Sequence, residues 1–294
     1  MPPHLIEEMR AVYGDTEEAI GELFYAFNHA IIDAVEPHCG VVKPQAAFYN
    51  RSHYTWQALE KTLAYAKYKE LLRIKDAKCK DGSETADAYA QAHIGMVPSL
   101  DHSMVIAPIQ SDAVTIDGYI GADSVLRYVR EIKAYGTCAF VVDKTSFKPN
   151  SVIEQLVTDN GLSVWERLAH YVAEWGEGTE GENGYRNLGV VMGATYEKDA
   201  PKMRAILPNA IMLVPGYSIK GGEGQGGEAD GAVVPFNDDG FGAVVNASRG
   251  IIAAWQKGPF ACDPRDFAQA AARAAKFACD DLNAALARAG KIGW

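Results

Sequence analysis

No stretch of the 294 residues approaches the roughly 18 consecutive apolar residues of a membrane-spanning helix, so no membrane partner is expected. Positive charge is in short supply. The 28 Lys and Arg stand against 38 Asp and Glu, a formal net charge of −10, which argues against nucleic acid and anionic membrane surfaces as partners. An anionic substrate is still admissible, because a few local cations can hold one phosphate. Cysteine is sparse and unpatterned. The five (Cys39, Cys79, Cys138, Cys262 and Cys279) are odd in number and form no CxxC pair, which disfavours a disulfide framework and a zinc ribbon. The seven histidines form no HxxxH or HExxH spacing, so no metal site is expected. The opening residues MPPHLIEEM lack a basic stretch followed by an apolar one. No secretory leader is therefore expected, and a cytoplasmic location is. Core-forming material is not lacking: 48% of the chain is hydrophobic, which excludes a disordered polypeptide. No composition break or solenoid repeat divides the chain, so residues 1–294 are expected to form a single domain.

What is present is an alternation. Residues 15–36 carry apolar positions at helical spacing, with Asp15 or Thr16 as N-cap, and residues 54–68 repeat the pattern. Further helical stretches cover 122–133, 161–174, 197–206 and the Ala-rich 264–289; another begins near Asp81, where Glu84 partly satisfies a capping box. Between them lie short β-branched runs near 41, 73, 114, 140, 190, 212 and 245. Helices alternating with such runs predict parallel strands joined by right-handed crossovers. The fold class expected is therefore α/β, a (β/α)8 barrel. Seven strands are one short of closure, and because the chain opens on a helix, the absent strand belongs at the N-terminus. Residues 175–187 and 216–242 are Gly-rich and polar and read as loops.

Candidate chemistry gathers at strand ends. Asp76 and Lys78 are two apart at the end of a strand, so alternation sends both to one face, which in a barrel is the lumen. Taken alone, Asp76-Ala77-Lys78-Cys79-Lys80-Asp81 could equally be a solvated cluster opening a turn, with Asp81 as an N-cap. Lys43, at the end of the preceding strand, makes a converging Lys/Asp/Lys cluster possible, with a lysine placed to donate a proton. Across the barrel, the loop 215–222 follows one strand, and Arg249 follows the next, where such barrels often bind phosphate. The bland alternative there is a flexible loop followed by a helix-opening arginine. Residues 222–227 match GxGxxG, but they lie beyond their strand and late in the chain, so a dinucleotide site is not expected. Asp101-His102-Ser103 reads as a polar loop rather than a triad.

Seven segments in order resemble the orotidine 5′-monophosphate decarboxylase family in its longer bacterial-type form. They are VVKPQAAFY (41–49), DAKCKD (76–81) with Thr85 beyond it, DAVTI with Tyr119 and Gly121 (112–121), KTS (144–146), GVVMGATY (189–196), VPGY with a following Gly pair (214–222) and VNASRGI (245–251). The resemblance implies a barrel that dimerises with active sites at the subunit interface, and cofactor-free decarboxylation of orotidine 5′-monophosphate to UMP. It implies that Asp76 faces the substrate carboxylate, that Lys78 protonates C6, and that Lys43 contacts the ribose and orders the charges. Asp81 and Thr85 would reach the partner subunit's site. Ser146, or else Thr145, would bind the pyrimidine edge, and Pro215 and Arg249 would line the phosphate end.

The chain departs from the family pattern in four places. Cys79-Lys80 replaces Arg-Gly, Asp117-Gly118 replaces Asn-Pro, and Lys220 stands where the phosphate-loop glutamine is expected, although Gln225 precedes a second Gly pair. The fourth is the first strand, whose aspartate helps to bind the ribose and which has no counterpart here. These departures keep a phosphate-ligand-binding barrel without turnover in view, and the DxKxxD spacing of residues 76–81 keeps in view a metal-dependent sugar-phosphate decarboxylase or aldolase on the same barrel.

Overall fold

The computed structural model describes residues 1–147, 152–220, 222 and 224–292. Of the Gly-rich loop, Gly221 and Glu223 lie outside the described residues. Among the described residues nine strands occur in chain order: β1 (Val41–Val42), β2 (Leu72–Cys79), β3 (Val97–Pro98), β4 (Met104–Val105), β5 (Ala113–Asp117), β6 (Cys138–Lys144), β7 (Arg186–Met192), β8 (Ala210–Pro215) and β9 (Ala243–Asn246). Seven of them, β1-β2-β5-β6-β7-β8-β9, make one parallel sheet whose spatial order follows the chain. These are the seven strands expected from the sequence. β3 and β4 pair separately as a small antiparallel hairpin that the alternation does not reveal. Asp101, His102 and Ser103 sit in its turn, where the Asp101 carboxylate accepts from the Ser103 hydroxyl at 2.7 Å.

The sheet curls because each strand is twisted, and both of its faces are apolar and covered. On the inner face Ile74, Ala113, Phe140, Val191 and Leu213, one from each of five consecutive strands, pack on one another and plug the lumen. The outer face presents Val114, Ile116, Val141, Val190, Met192 and Met212 to the surrounding helices. The last helix, Phe267–Arg288, approaches closely through Ala270, Ala274, Ala278 and Ala285. Its Phe267, Ala271 and Ala275 bury Phe27, Ile31 and Val35 of the helix Glu17–Val35, which is capped by Thr16 accepting from the Ala19 N–H. Methyl-sized side chains on the last helix let the two helices approach closely.

Among the described residues no strand joins β1 to β9. Between them lies an apolar groove of about 530 Å³, lined by Phe27, Ile31, Val41, Val245 and Ile251 among others. Among the described residues the barrel is thus open along one seam, between β1 and β9, where the eighth strand of a closed barrel was expected.

Candidate functional site

A second cavity, of about 300 Å³, opens at the C-terminal ends of the strands. Asp76 of β2 lines it. The Lys43 ammonium donates to Asp76 Oδ2 at 2.5 Å and the Lys78 ammonium to Asp76 Oδ1 at 2.5 Å, so each carboxylate oxygen carries one lysine. The Thr115 hydroxyl of β5 donates to Oδ1 at 2.9 Å, and Thr115 in turn accepts the Lys78 N–H at 3.0 Å. Simple alternation does not by itself produce this meeting. The register of β2 against β5 shifts between Lys75 and Cys79, and Lys78 takes φ = 50°. For a residue with a side chain, that left-handed conformation costs roughly 1–3 kcal/mol and persists only where its surroundings enforce it. Here the bond to Thr115 and the ion pair to Asp76 do so.

The electrostatics follow from burial. Burial pushes the Asp76 carboxyl up, but Lys43 and then Lys78, through charge and hydrogen bonds, outweigh it and hold the group below the usual carboxylate range. Asp76 and Lys43 are largely covered, whereas half of the Lys78 side chain is exposed to the cavity. Two cations against one anion leave the centre positive, which suits an anionic ligand.

The opposite wall is built from three strand ends. Thr145, Ser146 and Phe147 follow β6; Pro215 ends β8, with Gly216 and Tyr217 just beyond; Asn246 ends β9, with Ser248 and Arg249 just beyond. The Ser146 hydroxyl donates to Gln225 Oε1, tying the segment after β6 to the Gly-rich loop. Asn246 Oδ1 is buried with no hydrogen-bond partner. Among the described residues no group of three or more His, Cys, Asp and Glu side chains is disposed to hold a metal ion.

Residues 26–258 match the sequence pattern of the family described as orotidine 5′-phosphate decarboxylase / HUMPS. The chain belongs to this family. It is 34% identical over 265 residues to orotidine 5′-phosphate decarboxylase of Caldicellulosiruptor saccharolyticus, covering 90% of this chain and 83% of that protein. It is 35% identical over 264 residues to the Haloarcula marismortui enzyme of the same name, with 88% and 84% covered. Among solved structures, Leishmania donovani OMP decarboxylase superposes with a TM-score of 0.67 at 26% identity, covering 96% of this chain and 97% of that one.

The structure of this decarboxylase-family chain brings Lys43, Asp76, Lys78, Thr145, Ser146, Pro215, Gln225 and Arg249 around one cavity. Asp81, Thr85 and Lys220 are exposed and stand outside its lining. Asp81 is not the cap of its helix. The helix runs Ser83–Ile94 after Gly82 without a side-chain cap, and the Ser83 N–H is taken by Asp123 at 2.9 Å. Sequence reasoning did not single out Thr115 or Asn246. Both lie inside segments that carried the resemblance, and Thr115 is two residues beyond the lumen-facing Ala113, so alternation could have found it.

Proposed function

We propose that this chain decarboxylates orotidine 5′-monophosphate to UMP in pyrimidine biosynthesis. The observation that carries the reading is Asp76 held between two ammonium groups in the same cavity as Ser146, Gln225 and Arg249. The bond between C6 of the pyrimidine and its carboxylate breaks, CO2 departs, and the electron pair stays on C6. Lys78 delivers a proton to that carbon and regains one from solvent. Its ammonium is already fixed by Asp76, so charge stabilisation at C6 needs little reorganisation as the negative charge develops. Asp76 faces the substrate carboxylate, and Lys43 keeps Asp76 ionised and contacts the ribose. Ser146, with Thr145 beside it, takes the pyrimidine edge. Pro215, Gln225 and Arg249 form the phosphate end, some distance from the reacting carbon, where binding energy can be used in the transition state. Lys220 lies outside this lining, which favours Gln225 for the phosphate loop. Asp81 and Thr85, exposed beyond the rim, complete the site of a second copy in a homodimer, and the enzyme works in the cytoplasm.

The test is to follow UMP formation from orotidine 5′-monophosphate with no added metal or cofactor. Stoichiometric UMP and CO2 are expected. Binding of UMP without turnover would make the chain a phosphate-ligand-binding barrel. Turnover of sugar phosphates only, and only with an added divalent cation, would place it among sugar-phosphate decarboxylases or aldolases.

A further inference from the structure

Lys144, the last residue of β6, is completely buried and takes no part in the chemistry above. Its ammonium lies 3.5 Å from Glu154 Oε2, 3.7 Å from Asp199 Oδ2 and 4.2 Å from the centre of the Tyr196 ring. It forms no hydrogen bond, so it holds these groups by charge alone. A buried lysine without such company would be driven to its neutral form. The company is functional in its placement, because the same groups grip the segment that enters the cavity. The Glu154 carboxylate accepts the Thr145 N–H at 3.1 Å. The Tyr196 hydroxyl donates to the Phe147 carbonyl at 2.6 Å. Next to them the Thr195 hydroxyl donates to the Ser146 carbonyl at 3.1 Å, and the Gly193 N–H to the Lys144 carbonyl at 2.9 Å. Gly193 has to be glycine for this contact: a Cβ there would sit 2.7 Å from Ser146 Cα and 2.8 Å from its nitrogen.

Glu154 also has a destabilising neighbour. Asp143 is buried, and neither of its oxygens has a hydrogen-bond partner. Burial, and after it the Glu154 carboxylate, push the Asp143 carboxyl up. Without Lys144, Glu154 would face Asp143 with no cation between them.

We propose that Lys144 is a positioning residue: its buried ammonium fixes Glu154 and Tyr196, which hold the backbone of residues 145–147 so that the Ser146 hydroxyl meets Gln225 across the mouth of the cavity. Lys144 acts through Ser146 and touches no substrate. The ligand part of the following test rests on the nucleotide reading of the cavity; the exchange part does not.

The experiment compares the whole chain with its Lys144→Met and Lys144→Arg variants by amide hydrogen exchange without ligand, and by binding of UMP and of ribose 5-phosphate. In Lys144→Met the amides of residues 144–147 are expected to exchange at least tenfold faster while the β7 and β8 amides do not change. UMP affinity is expected to fall about tenfold, with ribose 5-phosphate affinity within twofold of the parent, and Lys144→Arg to recover part of both effects. In a Ser146→Ala background, Lys144→Met should weaken UMP no further. Unchanged exchange at 144–147, an equal loss for both ligands, or full additivity with Ser146→Ala overturns the proposal. If Lys144→Met does not fold, Glu154→Gln replaces it, since it keeps the acceptor for Thr145 but removes the charge. Faster exchange confined to 144–147 then supports the proposal, and unchanged exchange overturns it. A parent chain that binds no UMP would sink the nucleotide reading and leave the exchange result to decide the role of Lys144.

Discussion

Lys80 and Asp117 form an ion pair of 3.6 Å between the ends of β2 and β5. Each of them replaces a residue of the decarboxylase family pattern, and the two replacements answer one another. Lys80 also stands 4.8 Å over the Tyr119 ring, and Asp117 accepts the Tyr119 N–H at 2.7 Å. Two departures that look independent along the chain are thus one local exchange of contacts beside the segment that carries Asp81. Because both side chains are about a third to a half exposed, the pair is expected to contribute little to stability, roughly 0.2–1 kcal/mol in a Lys80→Ala/Asp117→Ala double-mutant cycle. A coupling near zero in urea unfolding would show that the two changes do not compensate.

Lys78→Ala is expected to abolish decarboxylation while UMP still binds. It removes both the proton source and the cation beside the developing charge, a loss of several kcal/mol in the transition state, which corresponds to about 10³-fold or more in turnover. Single-turnover assays with equilibrium binding of UMP separate the two effects. Turnover within tenfold of the parent would sink the assignment of Lys78.

Arg249→Ala is expected to weaken UMP by about tenfold to a hundredfold, in line with a charge-assisted contact of roughly 1.5–3 kcal/mol, and uridine much less. Isothermal titration with both ligands decides it. Equal weakening would mean that Arg249 does not contact the phosphate.

The exposed Asp81 gives a test of a shared site. Lys78→Ala and Asp81→Ala chains should each be inactive alone. Mixed under conditions that allow exchange, they should recover about a quarter of the parental sites, because half of the dimers are mixed and each mixed dimer has one intact site. Verified heterodimers without recovered activity would exclude a site built from two chains. An active Asp81→Ala chain would remove Asp81 from the reaction altogether.

Lys75, next to Asp76 but on the outer face of β2, predicts a pH effect. It is completely buried, with its ammonium donating to the Ile109 carbonyl at 2.7 Å, and burial pushes its pKa down to about 7. An unfolded lysine titrates near 10.4. Between these values the unfolded chain binds a proton that the folded chain does not, so the lysine destabilises the fold increasingly as pH falls from about 10 towards 7. Lys75→Met should therefore be more stable than the parent at pH 7, by up to about 4 kcal/mol, with the margin shrinking towards pH 10. Urea unfolding of both proteins at pH 7 and pH 9.5 checks this, and an equal margin at both would show that Lys75 does not titrate in this range.

The alternation of helical and β-branched segments was enough to count the seven parallel strands, and a strand's two-residue period was enough to put Asp76 on the inner face. Both are local properties, set by which side chains a helix or a strand turns towards the core. The seam between β1 and β9 was also foreshadowed, since a count of seven leaves a barrel open. Distances between strand ends were not legible in this way. That Lys78 reaches Asp76 through a left-handed residue, that Ser146 bonds to Gln225 while Lys220 stays outside, and that Asp123 rather than Asp81 serves the helix at Ser83 all depend on chain segments 2 to 79 residues apart. Neither propensity nor periodicity contains such contacts. They arise only when the curled sheet sets the lengths and angles of its loops, and with them the position of each charge.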